Sequence, residues 1–240
     1  MICKIETPDE FDKWKLRDIY SIRILSLIES YGCKYHFATF YKQVNDDGVI
    51  TAIISKLDND ITLSLGDEFD NSELVRFFCI TGYSSITCSD EFEFGARYEE
   101  GIVMSCSSKH EIAENNVTVD EYPKLMDLFN FVDYEDMDFK SWYVDISHRV
   151  RHNTAKAYTL NIDDNIISSG ILSSIYDDYA VLTAVRTADE FRKMGYGSYL
   201  VSFICCDVKN SVYIMRDKSL NESFYLRLGF KNIGKWRIYK

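Results

Sequence analysis

The chain has 240 residues, enough for one large domain or two small ones. Its formal net charge of −11 argues against nucleic acid as a partner, because phosphate backbones bind basic surfaces. With 46% hydrophobic and 15% aromatic residues, the chain can bury a core, which excludes the disordered class. The acidic balance is compatible with a cationic amine as substrate, but solubility alone is the favoured explanation.

The cysteines and the apolar runs predict the compartment. The chain has 7 cysteines, an odd number, with no C-x-x-C pair and matching partner, which favours reduced thiols in a cytosol over a disulfide framework. Its first 15 residues are too polar for a signal peptide. No apolar run approaches the ~20 residues of a membrane helix. We therefore expect a soluble cytoplasmic protein without a membrane partner.

The first half of the chain alternates between helical and strand patterns. Apolar residues recur at helical spacing up to Tyr31, and Gly32 follows as a stop. The turn at 66–70, GDEFD, precedes the later helix and carries three acids that would repel phosphate, so we expect no phosphate site here. The predicted elements are a helix at 12–31, strands at 36–41, 48–55 and 61–65, a helix at 71–80, and strands at 84–89 and 101–105.

The second half repeats this order after a polar joint at 107–116. We expect two similar modules, an N-terminal domain at 1–116 and a C-terminal domain at 117–240. The fold class is α/β (α+β), with a mixed, mostly antiparallel sheet flanked by helices. The predicted elements are helices at 119–132 and 139–151, strands at 156–160, 166–175 and 179–186, a helix from 196, a strand at 211–215, a helix at 220–228 and a strand at 231–239.

The stretch at 180–207 organises the second half. It begins as an apolar strand, breaks at a charged turn, and restarts as a helix where Arg192, Lys193, Gly195 and Gly197 lie. A helix N-terminus has unpaired N–H groups and the positive end of the macrodipole, both of which attract phosphate. Glycines let a ligand approach the backbone closely. The stretch therefore predicts a pyrophosphate site, with a plain helix-start turn as the alternative.

Two further patterns are weaker candidates for chemistry. His148 and His152 lie four residues apart on a predicted helix, the spacing of two metal ligands, but a third ligand is missing and arginines flank them. We predict no metal site. Cys205 and Cys206 suggest a covalent acyl-cysteine, but they lie within a buried helical pattern with no histidine nearby, where cysteines are usually inert.

Two motifs carry a family resemblance. The run at 185–197, VRTADEFRKMGYG, resembles the acetyl-CoA signature of GCN5-related N-acetyltransferases, and 224–230, FYLRLGF, is similar to the F-Y-x-x-L-G-F ending of that family. The resemblance is clear over about 179–239. It implies the acyl-CoA N-acyltransferase fold, with the first half a degenerate copy or a substrate-binding partner.

The resemblance also implies roles for individual residues. Tyr225 matches the tyrosine that protonates the departing CoA thiolate, with a core aromatic as the alternative. The family often has an asparagine where this chain has Lys218, and Asn221 follows one turn later; we assign Asn221 to CoA. The remaining cofactor residues are the strand that pairs with pantetheine, Thr183, Ala184 and Val185, and the turn that cradles pyrophosphate, Arg192, Lys193, Met194, Gly195, Tyr196, Gly197 and Ser198.

The implied function is transfer of an acetyl group from acetyl-CoA to a primary amine, on a small molecule or a peptide, by direct attack in a ternary complex. One CoA is expected per chain. The alternative is a non-catalytic acyl-CoA sensor, and another acyl-CoA or a hydroxyl acceptor also stays open. Asp177, Asp178 and Glu190 are base candidates by turn position, with a water chain as the other source. The sequence leaves the acceptor and the oligomeric state open.

Overall fold

The computed structural model describes residues 1–12, 14–15, 18–107, 117–134 and 137–240. They form two compact units: one comprises Met1–Val103, Met215–Leu220 and Asn232–Lys240, the other Met104–Ile214 and Asn221–Lys231. Apart from Ser107, the predicted joint at 107–116 lies outside the described residues. The division into domains 1–116 and 117–240 stays a prediction; the units differ from it because the C-terminal strand belongs to the first unit.

The strands and helices follow in chain order. The strands are β1 (Ile2–Lys4), β2 (Ala38–Val44), β3 (Ile50–Leu57), β4 (Asp60–Leu65), β5 (Ser85–Ser89), β6 (Tyr98–Cys106), β7 (Thr118–Asp120), β8 (Lys156–Ile162), β9 (Asn165–Tyr176), β10 (Tyr179–Thr187), β11 (Val212–Asp217) and β12 (Lys231–Tyr239). The helices are α1 (Ile19–Tyr31), α2 (Asn71–Thr81), α3 (Leu125–Val132), α4 (Phe139–Arg151), α5 (Tyr196–Asp207) and α6 (Glu222–Arg227). Short 3-10 turns lie at Pro8–Phe11 and Asp189–Phe191. Within the described residues, every helix is too short or too polar to serve as a membrane span.

The first unit is built on a mixed sheet. Strands β1 to β4 pair antiparallel in sequence order, β5 runs parallel to β4, and β12 pairs antiparallel with β5. Apolar side chains from β3, β4 and α2 meet in the core, where burial of Ile54, Leu63 and Phe78 supplies the hydrophobic stabilisation. Tyr239, near the end of the chain, packs in the same core. The last strand is therefore structural for the first unit.

The second unit repeats the sheet of the first. Strands β7 to β10 pair antiparallel in sequence order, and β11 runs parallel to β10. Successive strand residues point to opposite faces. Gly170 of β9 lies under α5, where a Cβ atom would meet Ile204 Cδ1 at 2.7 Å. The next residue, Ile171, packs on the other face with Leu128 of α3 and Ile146 of α4. The sheet thus lies between α5 and the α3–α4 pair.

The order of elements is the same in both units: an antiparallel run of strands, then a helix, then a parallel strand. The predicted α/β class, with a mixed and mostly antiparallel sheet flanked by helices, is confirmed. The predicted repetition of one module along the chain is confirmed as a repetition of topology.

Two predicted helices begin later than expected. The helix expected at 119–132 begins at Leu125, because Thr118–Asp120 pairs with β8 and the Asp120 carboxylate accepts the Tyr122 N–H at 2.8 Å. The helix expected from residue 12 begins after Asp18, whose carboxylate caps the N–H of Ser21 at 2.7 Å. Strand pairing and a local polar contact override the apolar spacing before α3, and a side-chain cap overrides it before α1.

Candidate functional site

A cleft of about 550 Å³ opens in the second unit where β10 ends and α5 begins. Its lining residues are Val185, Arg186, Thr187, Phe191, Arg192, Lys193, Gly195, Tyr196, Gly197, Ser198, Asn221, Phe224, Tyr225 and Arg227. The glycine turn and the FYLRLGF segment therefore line one cleft, although about 30 residues separate them in the sequence.

The start of α5 leaves backbone donors open to this cleft. Gly195 is the N-cap with φ of 90°, and no side chain caps the helix. Lys193 also has a left-handed backbone, with φ of 64°. In an uncapped helix the first N–H groups, here those of Tyr196 to Ser198, have no acceptor within the helix. This turn is the part of the cleft best suited to bind an anion.

Arg192 is fixed at the edge of the turn. Its Nη2 lies 2.7 Å from Asp189 Oδ1, and its Nε donates to the Thr187 carbonyl at 3.2 Å. The guanidinium is thus tied to the end of β10 on one side and to the 3-10 turn on the other. Arg192 and Lys193 both line the cleft, so two basic residues lie beside the turn.

Strand β10 separates from its parallel neighbour beside the cleft. The β10–β11 register comprises Ala180↔Val212 and Val181↔Tyr213, and it stops there. A bulge follows between Thr183 and Arg186, with Ala184 at φ of 52°. The Ala184 carbonyl accepts the Ser169 hydroxyl at 2.9 Å, which holds the bulge on β9. On the β11 side, the backbone from Leu182 onward can pair with an extended ligand.

Tyr225 presents a phenol to the same cleft. Its ring lies between Phe224 and Phe230, with ring centroids 5.0 and 5.4 Å away in edge-to-face geometry. Burial raises the pKa of the Tyr225 phenol to about 12. The hydroxyl therefore keeps its proton at neutral pH, which is the form that a general acid requires.

The two motifs touch each other. A Cβ atom on Gly197 would lie 3.8 Å from the Phe224 ring, so α6 packs against the first turn of α5. The sequence left two residues for the family's asparagine position, and the structure separates them. Asn221 lines the cleft, whereas Lys218 belongs to the first unit and pairs there with Glu100.

Some predicted residues lie beside the cleft rather than in its lining. Met194 is 63% exposed, and the Thr183 hydroxyl donates to the Ile171 carbonyl at 3.3 Å. The roles predicted for Thr183 and Ala184 use backbone atoms and stay predictions. The prediction missed five lining residues, although all lie within the two quoted motifs: Arg186, Thr187, Phe191, Phe224 and Arg227. The alternation V-x-T, which puts Arg186 on the face opposite its neighbours, was the available signal.

The other chemical candidates lie elsewhere. The His148 and His152 rings stack 4.2 Å apart, and within the described residues no group of three or more His, Cys, Asp or Glu could hold a metal. Cys205 is buried, and a hydrogen bond with Cys106 together with burial raises the pKa of its thiol, so the reactive thiolate is disfavoured.

Two base candidates are placed away from the cleft. Asp177 and Asp178 form the turn before β10, the end of the strand opposite to Thr187. Nine strand residues span roughly 30 Å, and Asp178 already pairs with Lys209 at 3.1 Å. This position argues against either as a base in the cleft. The third candidate, Glu190, is exposed in the 3-10 turn beside the cleft.

The comparison with known families agrees with this geometry. Residues 120–230 match the model of the acetyltransferase (GNAT) family. The match covers somewhat less than half of the chain, and it shows that this part is similar to a GNAT domain. No curated protein sequence matches the chain.

Solved structures show that the GNAT fold extends over the whole chain. A GCN5-related N-acetyltransferase from Kribbella flavida is similar at a TM-score of 0.62 and 13% identity, covering 92% of this chain and 94% of that one. One from Sphaerobacter thermophilus gives a TM-score of 0.61 at 11% identity, covering 98% and 89%. A tandem GNAT protein from the clavulanic acid biosynthesis pathway gives 0.60 at 9% identity, covering 100% and 97%. At these identities the likeness concerns the fold, and it confirms the expected acyl-CoA N-acyltransferase fold.

Proposed function

We propose that the chain transfers an acetyl group from acetyl-CoA to a primary amine by direct attack in a ternary complex. The observation that carries the proposal is the meeting of an uncapped glycine turn and the half-buried side chain of Tyr225 in one cleft. The turn suits the pyrophosphate, and the separated part of β10 suits the pantetheine arm, so the thioester would lie near Val185. Tyr225, which lines the same cleft, would then supply the proton for the departing thiolate.

The residues have separate roles in this reaction. Backbone N–H groups of the β10 bulge polarise the thioester carbonyl, the neutral amine attacks its carbon, and a C–N bond forms as the C–S bond breaks. Tyr225 gives its proton to the departing thiolate and regains one from solvent. Because burial keeps the pKa of this phenol at about 12, the acid is available throughout the neutral range. Asp177 and Asp178 lie at the other end of β10, so the amine loses its proton to water in the cleft or to Glu190 in the turn beside it.

The test is an acetyl-CoA assay with a panel of amines, in which released CoA is measured with a thiol reagent and the acetylated amine by mass. Wild-type protein should release CoA in step with product. Tyr225→Phe should bind acetyl-CoA normally and turn over slowly. Tyr122→Phe is the matched control, because Tyr122 is 85% exposed outside the cleft. An undiminished rate in Tyr225→Phe would remove the acid role.

One observation favours a second function, a non-catalytic acyl-CoA sensor. The lining residues of the cleft include no Asp, Glu or His to accept the amine proton. A sensor needs the glycine turn but neither acid nor base. Binding of acetyl-CoA by calorimetry, without product from any amine in the panel, would support the sensor and reject the transferase.

A further inference from the structure

Arg186 lies on the face of β10 opposite to the glycine turn. It is the next-to-last residue of the strand and lines the cleft. Its Nη1 donates to the Val132 carbonyl at the end of α3 at 2.6 Å. Its neighbour Thr187 points the other way, toward Gly197 at the start of α5. Arg186 is therefore on the α3–α4 side of the sheet, away from the turn proposed to hold pyrophosphate.

A single nitrogen of Arg186, Nη1, makes the contacts that hold its guanidinium, which leaves the opposite edge open to a ligand. Nη1 takes the Val132 carbonyl and lies 3.7 Å from Asp133 Oδ2, and the group lies over the Phe131 ring at 5.8 Å. Nε and Nη2 have no hydrogen-bond partner in the described part of the chain. These two atoms form the straight edge of the planar guanidinium, with two parallel N–H bonds. Such an edge matches the two oxygens of a carboxylate.

The charge of Arg186 is not needed for the cofactor. The cleft is also lined by Arg192, Lys193 and Arg227, and its lining contains no acidic residue. Arg192 and Lys193 stand on the glycine turn, where the phosphates of CoA are proposed to bind. Arg186 supplies a further positive charge on the other face of β10, beside the end of α3.

We propose that Arg186 binds a carboxylate of the acceptor, so that the substrates are amino carboxylates such as amino acids or short peptides with a free C-terminus. The inference rests on the proposed acetyl transfer. A fork-shaped pair of hydrogen bonds holds the acceptor at one end, while the Val132 carbonyl and the Phe131 ring hold the arginine. The amine at the other end is then directed toward the thioester near Val185. Arg186 acts as a specificity-determining residue.

A binding experiment tests the carboxylate site without turnover. N-acetyl amino acids, the expected products, are titrated by calorimetry into protein saturated with CoA, beside their C-terminal amides. The acids should bind about 10- to 100-fold tighter than the amides, because charge-assisted hydrogen bonds to a carboxylate are lost in the amide. In Arg186→Gln this preference should disappear. Equal affinity for acids and amides in wild type, or no binding of either, would overturn the inference.

Arg151→Gln is the matched control. Arg151 likewise donates to a backbone carbonyl, from Nε to Ser147 at 3.0 Å, but it is exposed and outside the cleft. This variant should keep the preference for acids. A preference that falls in both variants would point to a general loss of positive charge and contradict a specific site at Arg186.

Kinetics separate this inference from the proposed function. With amino acids as acceptors, Arg186→Gln should raise the acceptor KM about 10- to 100-fold, with the KM for acetyl-CoA unchanged and Arg186→Lys intermediate. Acetyl transfer to amines regardless of a carboxylate would reject the site and keep the transferase. Selective binding of the acids without any transfer would reject the transferase and keep the site.

Discussion

A side-chain carbon on Gly197 would lie 2.7 Å from Oγ1 of Thr187, so the first turn of α5 rests directly on the end of β10. Thr187 Oγ1 is also 3.0 Å from the Ser168 hydroxyl, which limits its freedom to move aside. The contact sets the distance between the turn proposed for pyrophosphate and the strand proposed for the thioester. The proposed transfer requires the pyrophosphate and the thioester of acetyl-CoA to be bound at the same time. The distance between the turn and the strand is therefore expected to affect activity.

Gly197→Ala should therefore weaken acetyl-CoA binding and stability together. The added methyl group must displace Thr187 or the start of α5, at a cost of about 1–3 kcal/mol of unfolding free energy. Denaturant unfolding and calorimetry with acetyl-CoA measure the two effects. Gly234→Ala is the control, because a Cβ atom there meets nothing within 4 Å. A Gly197→Ala protein with wild-type affinity would contradict the close contact.

Tyr225→Phe should lower kcat by about 100-fold, the lower range for removal of a general acid. Stopped-flow measurement of CoA release gives the rate. Because the pKa of Tyr225 is raised to about 12, wild-type kcat should show no fall from this group between pH 7 and 10. A tyrosine with an ordinary pKa of about 10 would begin to lose its proton in that range. A fall in kcat centred near pH 10, absent in Tyr225→Phe, would contradict the raised pKa.

Calorimetry should find one CoA site per chain. The two units have corresponding helices, but their N-termini differ in the way they are capped. At α2 the Asp70 carboxylate accepts the Glu73 N–H at 2.9 Å, and Glu73 adds a second negative charge, whereas α5 has no side-chain cap. The acidic start of α2 repels phosphate. The site should weaken in Arg192→Gln and persist in Arg76→Gln, an arginine within α2. A stoichiometry of two would contradict this assignment.

Tyr158→Phe should destabilise the protein by about 2 kcal/mol, as expected for a hydrogen bond to a charged partner. The buried Tyr158 hydroxyl donates to Asp207 Oδ2 at 2.6 Å, and Lys156 Nζ bonds the same oxygen at 2.8 Å. The free energy of unfolding in denaturant measures the loss. Tyr122→Phe, at an exposed position, should change it by less than about 0.5 kcal/mol.

The same contact predicts a dependence of stability on pH. Burial acts to raise the pKa of Asp207, but hydrogen bonds from Lys156 and Tyr158 outweigh it and lower the pKa. A carboxyl whose folded-state pKa is lowered stabilises the fold above its unfolded pKa of about 3.9 and loses this contribution as pH falls below that value. Tyr158→Phe should therefore be less costly at pH 3 than at pH 7. An equal cost at both values would show that Asp207 does not titrate through this contact.

Local apolar patterns predicted the helices and strands well where the bounds of an element depend on its own side chains rather than on long-range pairing. The helix at 139–151 and the strand at 231–239 match α4 and β12 in the structure. The prediction of helix from residue 119 was wrong because pairing of Thr118–Asp120 with β8 is a long-range contact. The strand β1 was missed because its three residues are too few to show a periodicity.

In the candidate site, the sequence indicated the residues that form the turn before α5, because that turn depends on neighbouring residues alone. Gly195 has a positive φ, and a Cβ atom on Gly197 would clash with Thr187. Glycine is the residue suited to both positions, so the two glycines in the sequence indicated the turn. The V-x-T alternation indicated only the face on which Arg186 lies; its contact with the end of α3 exists only in the folded unit. The sequence assigned Asn221 rather than Lys218 to CoA, but the contact of Lys218 with Glu100 could not be predicted, because the two residues lie 118 positions apart.

By itself, the sequence determined that the chain repeats one α/β module and that its second copy alone has a glycine turn fit for phosphate. The family resemblance of its motifs also implied Tyr225 as the candidate acid. Only the tertiary structure decided that this tyrosine shares a cleft with Gly197, that Asp177 and Asp178 lie at the far end of β10, and that β12 completes the first unit. The physical reason is that turns and caps depend on neighbouring residues, whereas strand pairing and cleft lining depend on contacts between residues far apart in the sequence.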